Sequence, residues 1–155
     1  MRPLTALALS ACALVPAPAA EGFSRATLPA GWSRVPWRLT ALTLPAEVYS
    51  AASFPLHRAP RGECGPSLAV RAQMPQNGLI VIIESWGRIG QHEQYQPLGP
   101  HVHLGRAGNF ECDGWSYNVI FRVGREDIQA AVIVKGRPGA FRLDQARQLL
   151  ASICQ

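Results

Sequence analysis

The clearest pattern in the chain is an alternation of apolar and polar positions between Trp115 and Lys135. Odd positions Trp115, Tyr117, Val119, Phe121 and Val123 are apolar, and after the turn so are even positions Ile128, Ala130, Val132 and Val134. Successive side chains of a strand point to opposite faces, so two period-two runs that switch parity across a turn predict a hairpin with one apolar face. A turn at Gly124-Arg125 makes the two parities coincide, and glycine as the first central residue suits a type II′ turn, whose twist matches the strands. That turn predicts Phe121 opposite Ile128, Val119 opposite Ala130, Tyr117 opposite Val132 and Trp115 opposite Val134. A slip of one residue would turn Ser116, Asn118 and Arg122 toward the core, which the cost of burying unpaired polar groups excludes.

Other stretches read as follows. Leu79 to Ile83 is apolar on both parities, which predicts a central strand covered on both faces. Val48 to Phe54, closed by Pro55, has strand character, and Pro66 at a first helical position opens a short helix over 66–73. From Phe141 to Cys154, residues Leu143, Ala146, Leu149, Leu150 and Ile153 form one helical stripe, with Cys154 at its edge and Asp144, Gln145, Gln148 and Ser152 on the wet face. Glu21 to Pro45 is punctuated by Gly22, Pro29, Gly31, Pro36 and Pro45 and reads as a loop-like arm that Trp32 and Trp37 anchor to the body. Gly87 to Gly114 is a long connection, with one short strand expected near His101 to Leu104. The fold class these elements predict is α+β: a mainly antiparallel sheet including the 115–135 hairpin, a short helix near 66–73, and a C-terminal helix packed on one face.

The first residues carry a different signal. Met1-Arg2-Pro3 supplies one positive charge, Leu4 to Val15 an apolar stretch, and Pro16-Ala17-Pro18-Ala19-Ala20 a small-residue cleavage site, the layout of a secretory signal peptide over 1–19. Leu9-Ser10-Ala11-Cys12 offers a rival reading, a lipobox in which Cys12 is lipidated. The expected layout is therefore a signal peptide (1–19), an arm (20–45) and one domain (46–155), and the expected location is secreted or in the cell envelope.

Composition narrows the class. The chain has 155 residues, 48% of them hydrophobic and 16% charged, values of a globular domain that exclude wholesale disorder and fibrous sequence. No uninterrupted apolar run reaches the roughly 18 residues a spanning helix needs, so no integral membrane protein is expected. The net charge of +5 comes almost entirely from arginine, with Lys135 the single lysine. Arg122, Arg125, Arg137, Arg142 and Arg147 make the C-terminal third basic, but no aromatic residues interleave with them as nucleic-acid platforms require, so they read as a solvated face and no nucleic-acid partner is expected.

An oxidising compartment permits disulfides. Cys64 in Arg61-Gly62-Glu63-Cys64-Gly65-Pro66 and Cys112 in Asn109-Phe110-Glu111-Cys112-Asp113-Gly114 both lie in turn-rich loops, while Cys154 reads as a small core residue, so the predicted bridge is Cys64 to Cys112. Catalytic chemistry is harder to place. His101 and His103, with His92 and Glu93 near in sequence, match no metal signature and read as exposed histidines. Glu84, Glu93, Glu111 and Asp113 are candidates for a carboxylate pair but read as ordinary surface. No G-x-S-x-G or C-x-x-C occurs, and Gly87-Arg88-Ile89-Gly90 lacks both the Walker lysine and the dinucleotide glycine spacing. No catalytic residue, metal ligand or cofactor is assigned.

Ser53-Phe54-Pro55-Leu56, Cys64, Pro75-Gln76-Asn77-Gly78 before Leu79 to Ile83, Glu111-Cys112, Phe121-Arg122-Val123-Gly124-Arg125 and Leu150-Ala151-Ser152-Ile153 form a recurring set. Over about residues 39 to 154 the chain resembles an uncharacterised family of small exported or envelope-associated domains of high-GC Gram-positive bacteria. Glu84 and the two cysteines fit that pattern; the histidine-rich loop does not belong to it. The resemblance implies export and no particular activity. The function expected is a non-catalytic, envelope-associated binding or accessory domain whose partner is an envelope component or another exported protein. The rival is a small extracellular hydrolase or metal-dependent enzyme with its site in the 87–113 loop.

Overall fold

A computed structural model describes residues 23, 26–87, 95, 102–123 and 126–153. The segment 1–19 read as a signal peptide, with Cys12, lies outside the described residues, as do His92, Glu93, His101, Gly124 and Arg125 of the expected turn, and Cys154.

The fold is α+β. Six strands, β1 (Ser33–Arg34), β2 (Ala46–Ala52), β3 (Leu79–Ser85), β4 (Gly108–Phe110), β5 (Gly114–Val123) and β6 (Glu126–Val134), form one antiparallel sheet in the order β1-β2-β3-β6-β5-β4. Among the described residues two helices accompany it, α1 (Leu68–Ala72) and α2 (Ala140–Ser152). Among the described residues no helix is long and apolar enough to cross a membrane.

The hairpin register follows from the alternating pattern. Phe121 pairs with Ile128, Val119 with Ala130 and Tyr117 with Val132, and Val123 pairs with Glu126 so that two residues remain between the strands. Trp115 departs from the expectation. The β5–β6 ladder begins at Ser116 with Ile133; Trp115 pairs instead with Asn109 on β4 and is 57% exposed. Parity put its ring on the apolar side, but the sheet there runs past its cover.

Strand β3 lies between β2 and β6, and Leu79 to Ile83 are all buried, which explains its lack of alternation: each parity enters a different core. Leu79, Val81 and Ile83 join Tyr49, Ala51, Val119, Phe121, Ile128, Ala130 and Val132 on the first face, covered by Ala146, Leu149, Leu150 and Ile153 of α2 and by Phe23, Trp32, Val102 and Leu104. Ile80 and Ile82 join Ala131 and Ile133 on the second face, covered by Val70 and Met74 around α1 and by Val35, Leu39 and Phe54.

Several boundaries and faces differ from expectation. Helix α1 begins at Leu68 rather than Pro66, because the Ser67 hydroxyl accepts from the Val70 N–H and caps the helix there. The segment 102–104 is not a strand, although Val102 and Leu104 are buried; the short strand falls later, at β4. In α2, Gln145 and Ser152 are buried rather than wet. The arm lies over that side of the helix: the Trp32 Nε1–H donates to Gln145 Oε1 at 3.2 Å, and the Thr27 N–H donates to the Ser152 hydroxyl at 2.8 Å. Helical periodicity reports which side of a helix faces the sheet and says nothing of a second segment crossing it. That arm is also partly built into the sheet, with Ser33 and Arg34 pairing to Ala52 and Ala51.

Candidate functional site

The disulfide joins Cys64 and Cys112, 48 positions apart in sequence, with Cα atoms 5.2 Å from one another. It ties the loop before α1 to the β4–β5 turn. The approach is close: a Cβ on Gly65 would collide with the Cys112 carbonyl oxygen, so only glycine fits beside the bridge. The Arg71 guanidinium donates to the same carbonyl and, through Nε at 2.9 Å, to the Pro66 carbonyl.

Next to this tie the second face turns polar. Glu47, Glu84 and Gln129 occupy one row across β2, β3 and β6. Glu47 is fully engaged: its carboxylate accepts from the Leu39 and Thr40 N–H groups at 2.7 and 3.0 Å and from the Ser50 hydroxyl at 2.9 Å. Gln129 accepts from the Trp86 indole N–H and donates to Asn118 Oδ1, and Asn118 donates to the Ser116 hydroxyl. Two acids stand apart from these networks. Glu84 is 8% exposed and Asp113 is 9% exposed. Burial, then repulsion from Asp113 and Glu47, pushes the Glu84 carboxyl from its ordinary 4.5 up to about 7, against the pull of Arg38. Burial also raises Asp113, which Arg71 partly offsets. Of the four acids singled out in the sequence, the fold brings Glu84 and Asp113 into electrostatic contact. Glu111 is exposed and Glu93 lies outside the described residues.

Toward the β1 edge the same sheet half carries an open groove of about 360 Å³, walled by Arg34 to Arg38 and by Glu47 to Ser50. Arg34 lies over the Tyr49 ring, 5.4 Å from its centroid. Two buried donors of these wall residues have no hydrogen-bond partner among the described residues, the Trp37 indole Nε1–H and the Arg38 Nε–H. Arg38 reaches the Leu42 carbonyl with its other end. On the far side of Trp37 a second groove of about 390 Å³ is lined by Trp37, Arg58, Ala59, Pro60 and Arg61. Buried polar groups are nearly always paired, so two unpartnered donors in adjacent residues mark this wall out from the rest of the surface.

The remaining candidates have structural settings. Asp127, buried on β6, accepts from the Tyr95 hydroxyl at 2.6 Å and from Arg122 Nε at 3.3 Å, while Arg122 stacks on the Tyr95 ring. Arg147 pairs with Asp144, and Arg142 donates to Gln145. His103 is exposed, and among the described residues no group of three or more His, Cys, Asp or Glu could hold a metal ion.

Arg34, Trp37 and Arg38 entered the sequence reading only as parts of an anchoring arm, Arg61 only as part of the turn-rich loop around Cys64, and Arg58 not at all. The signal was present in Trp32-Ser33-Arg34-Val35-Pro36-Trp37-Arg38, where arginine and tryptophan interleave as they do not in the C-terminal third. No family model, no curated protein and no solved structure matches this chain.

Proposed function

We propose that the chain is an exported, non-catalytic binding or accessory domain of the cell envelope, and that its ligand-contacting surface is the groove between residues 34–38 and β2. The observation that carries this reading is the pair of buried donors without partners, Trp37 Nε1–H and Arg38 Nε–H. Leaving a buried donor unmade costs about 1–3 kcal/mol, which an acceptor entering the groove wall would recover. The groove's own carboxylate, Glu47, is held by three hydrogen bonds to the protein. Export is supported by the layout of residues 1–20 and by a disulfide of the kind that persists in oxidising compartments.

Two measurements test the reading. Mass spectrometry of the protein from culture is expected to find a mature N-terminus at Ala20; an acylated Cys12 would move the protein to a lipid anchor, and an intact Met1 in the cytoplasm would end the export proposal. Ligand titration followed by the indole N–H resonances is expected to move Trp37 and leave Trp32, whose indole is already bonded to Gln145.

A second reading rests on Glu84, whose raised carboxyl has the character of a general acid. A hydrolase using it would lose turnover in Glu84→Gln, whereas the binding domain proposed here keeps its ligand affinity in that variant.

A further inference from the structure

We propose that the two grooves flanking Trp37 form one arginine track that takes a linear, phosphate-bearing polyanion. This rests on the binding role proposed above and names the chemistry of the ligand.

Trp37 is common to both grooves, so they are neighbouring compartments of one surface. Each compartment carries two arginines, Arg34 and Arg38 in one and Arg58 and Arg61 in the other. None of the four forms an ion pair with a described acid. The single acid in either lining is Glu47, whose oxygens already accept three hydrogen bonds. Four guanidinium groups that form no salt bridge among the described residues, two in each groove that Trp37 lines, give a local concentration of positive charge that the net charge of +5 does not by itself locate, even with the Glu84 carboxyl within electrostatic reach of Arg38.

The type of cation matters. A guanidinium presents planar forks of donors that engage oxyanions bidentately, where a lysine would act as a point charge. A planar carboxylate is saturated by one fork. A phosphate carries non-bridging oxygens in a tetrahedral array and can be gripped by two forks approaching from different sides, and Arg34 and Arg38 both line one compartment. One small oxyanion fills one compartment, whereas occupation of both requires charges repeated along a chain. The chain crosses at Trp37, where the buried Nε1–H and the neighbouring Arg38 Nε–H supply donors that no described protein group accepts.

The test uses the full mature protein and linear inorganic polyphosphate as probe, with binding followed by calorimetry and by the Trp37 indole resonance. Polyphosphate is expected to bind at ~0.1 M salt, and Arg34→Gln with Arg58→Gln together are expected to weaken it at least about tenfold, since charge-assisted bonds to phosphate are among the strong ones. Arg106→Gln with Arg147→Gln, which remove the same charge from segments on the other side of the sheet, are expected to change affinity less than about threefold. Equal losses in the two double variants would show general attraction to a basic protein and overturn the proposal. Orthophosphate binding as tightly as the polymer would overturn the track, and polyglutamate binding as tightly would overturn the choice of phosphate. Attachment only to phosphatidylglycerol vesicles would assign the site to a membrane surface instead. If a neutral saccharide or a peptide moves the Trp37 resonance while no polyanion does, the binding role stands and this inference fails; if nothing moves it, both fail. Arg34 and Arg58, the two residues replaced in the binding variant, are exposed, and an unchanged melting temperature in each variant keeps a loss of binding distinct from a loss of fold.

Discussion

The two faces of the sheet are built on different principles. The first face is closed: one long apolar cluster from β2, β3, β5 and β6 lies under α2 and the arm. The second is apolar only where α1 and residues 35–39 cover it, and beyond that it carries a disulfide, two buried acids and the arginine grooves. Periodic burial organises the first face, so its identity is local to each strand and helix. Ties between distant segments organise the second, with Cys64 to Cys112, Glu47 to the 39–40 backbone and Arg71 to the Cys112 carbonyl. A face held by ties can keep polar groups in strained or desolvated settings that a close-packed apolar face does not need.

The largest test of that contrast is to cut the tie. Replacing Cys64 and Cys112 together by alanine is expected to lower the free energy of unfolding by roughly 4 kcal/mol, the chain-entropy value for a loop of this length, as read by denaturant titration. The first-face signals, such as burial of Phe121, should survive in the folded fraction. On the first face, Leu149→Ala is expected to cost about 3 kcal/mol through lost packing and the cavity left beneath α2. A loss under 1 kcal/mol there would mean that the arm and helix collapse into the space and that the face is less tightly fixed than described.

Glu84→Gln sharpens the contrast in the opposite direction, because it should stabilise. The Glu84 carboxyl is raised from 4.5 to about 7, so the folded state keeps a proton across an interval in which the unfolded state has released it. Stability of the native protein through this group therefore falls as pH climbs from 4.5 to 7. The variant lacks that loss, and is expected to gain about 2 kcal/mol above pH 7 and nothing below pH 4.5. Equal melting temperatures at pH 8 would show that Glu84 is well solvated in solution. The smallest effect is on the helix: Gln145→Ala should cost about 1 kcal/mol by orphaning the Trp32 indole N–H, while exposed Gln148→Ala should be silent.

How much of this was legible in the sequence depends on whether a residue's environment is set by its own element. The pairs Phe121–Ile128 and Val119–Ala130 followed from alternation, because the hairpin's two strands carry their own register. The bridge followed from composition, since two of the cysteines sat among turn residues. Gln145 and Ser152 were misread because their burial comes from residues 27–32, more than a hundred positions away. Trp115 was misread for the converse reason: parity gave the side, and the extent of cover on that side belongs to α2. At the candidate site, Glu84 and Asp113 were named as acids, but their electrostatic contact joins β3 to the β4–β5 turn, two segments whose proximity is not set by either one's own sequence. The grooves were invisible as grooves, since Arg38 and Arg58 come to line the two grooves that share Trp37 only after the arm has been laid along the sheet edge.

The docking of the arm on α2 also sets an order of events. Phe23, Thr27 and Trp32 are among the first of the described residues to be synthesised, and their partners Gln145, Leu149 and Ser152 are among the last. Strand β3 likewise waits for β6, its neighbour in the sheet but some fifty positions later in the chain. Long-range pairings of this kind close slowly and only once both members exist. The first-face core is thus unfinished on the ribosome until residue 153 has been made, and the exported chain proposed here would still be loose enough to thread a membrane channel while most of its length had already been translated.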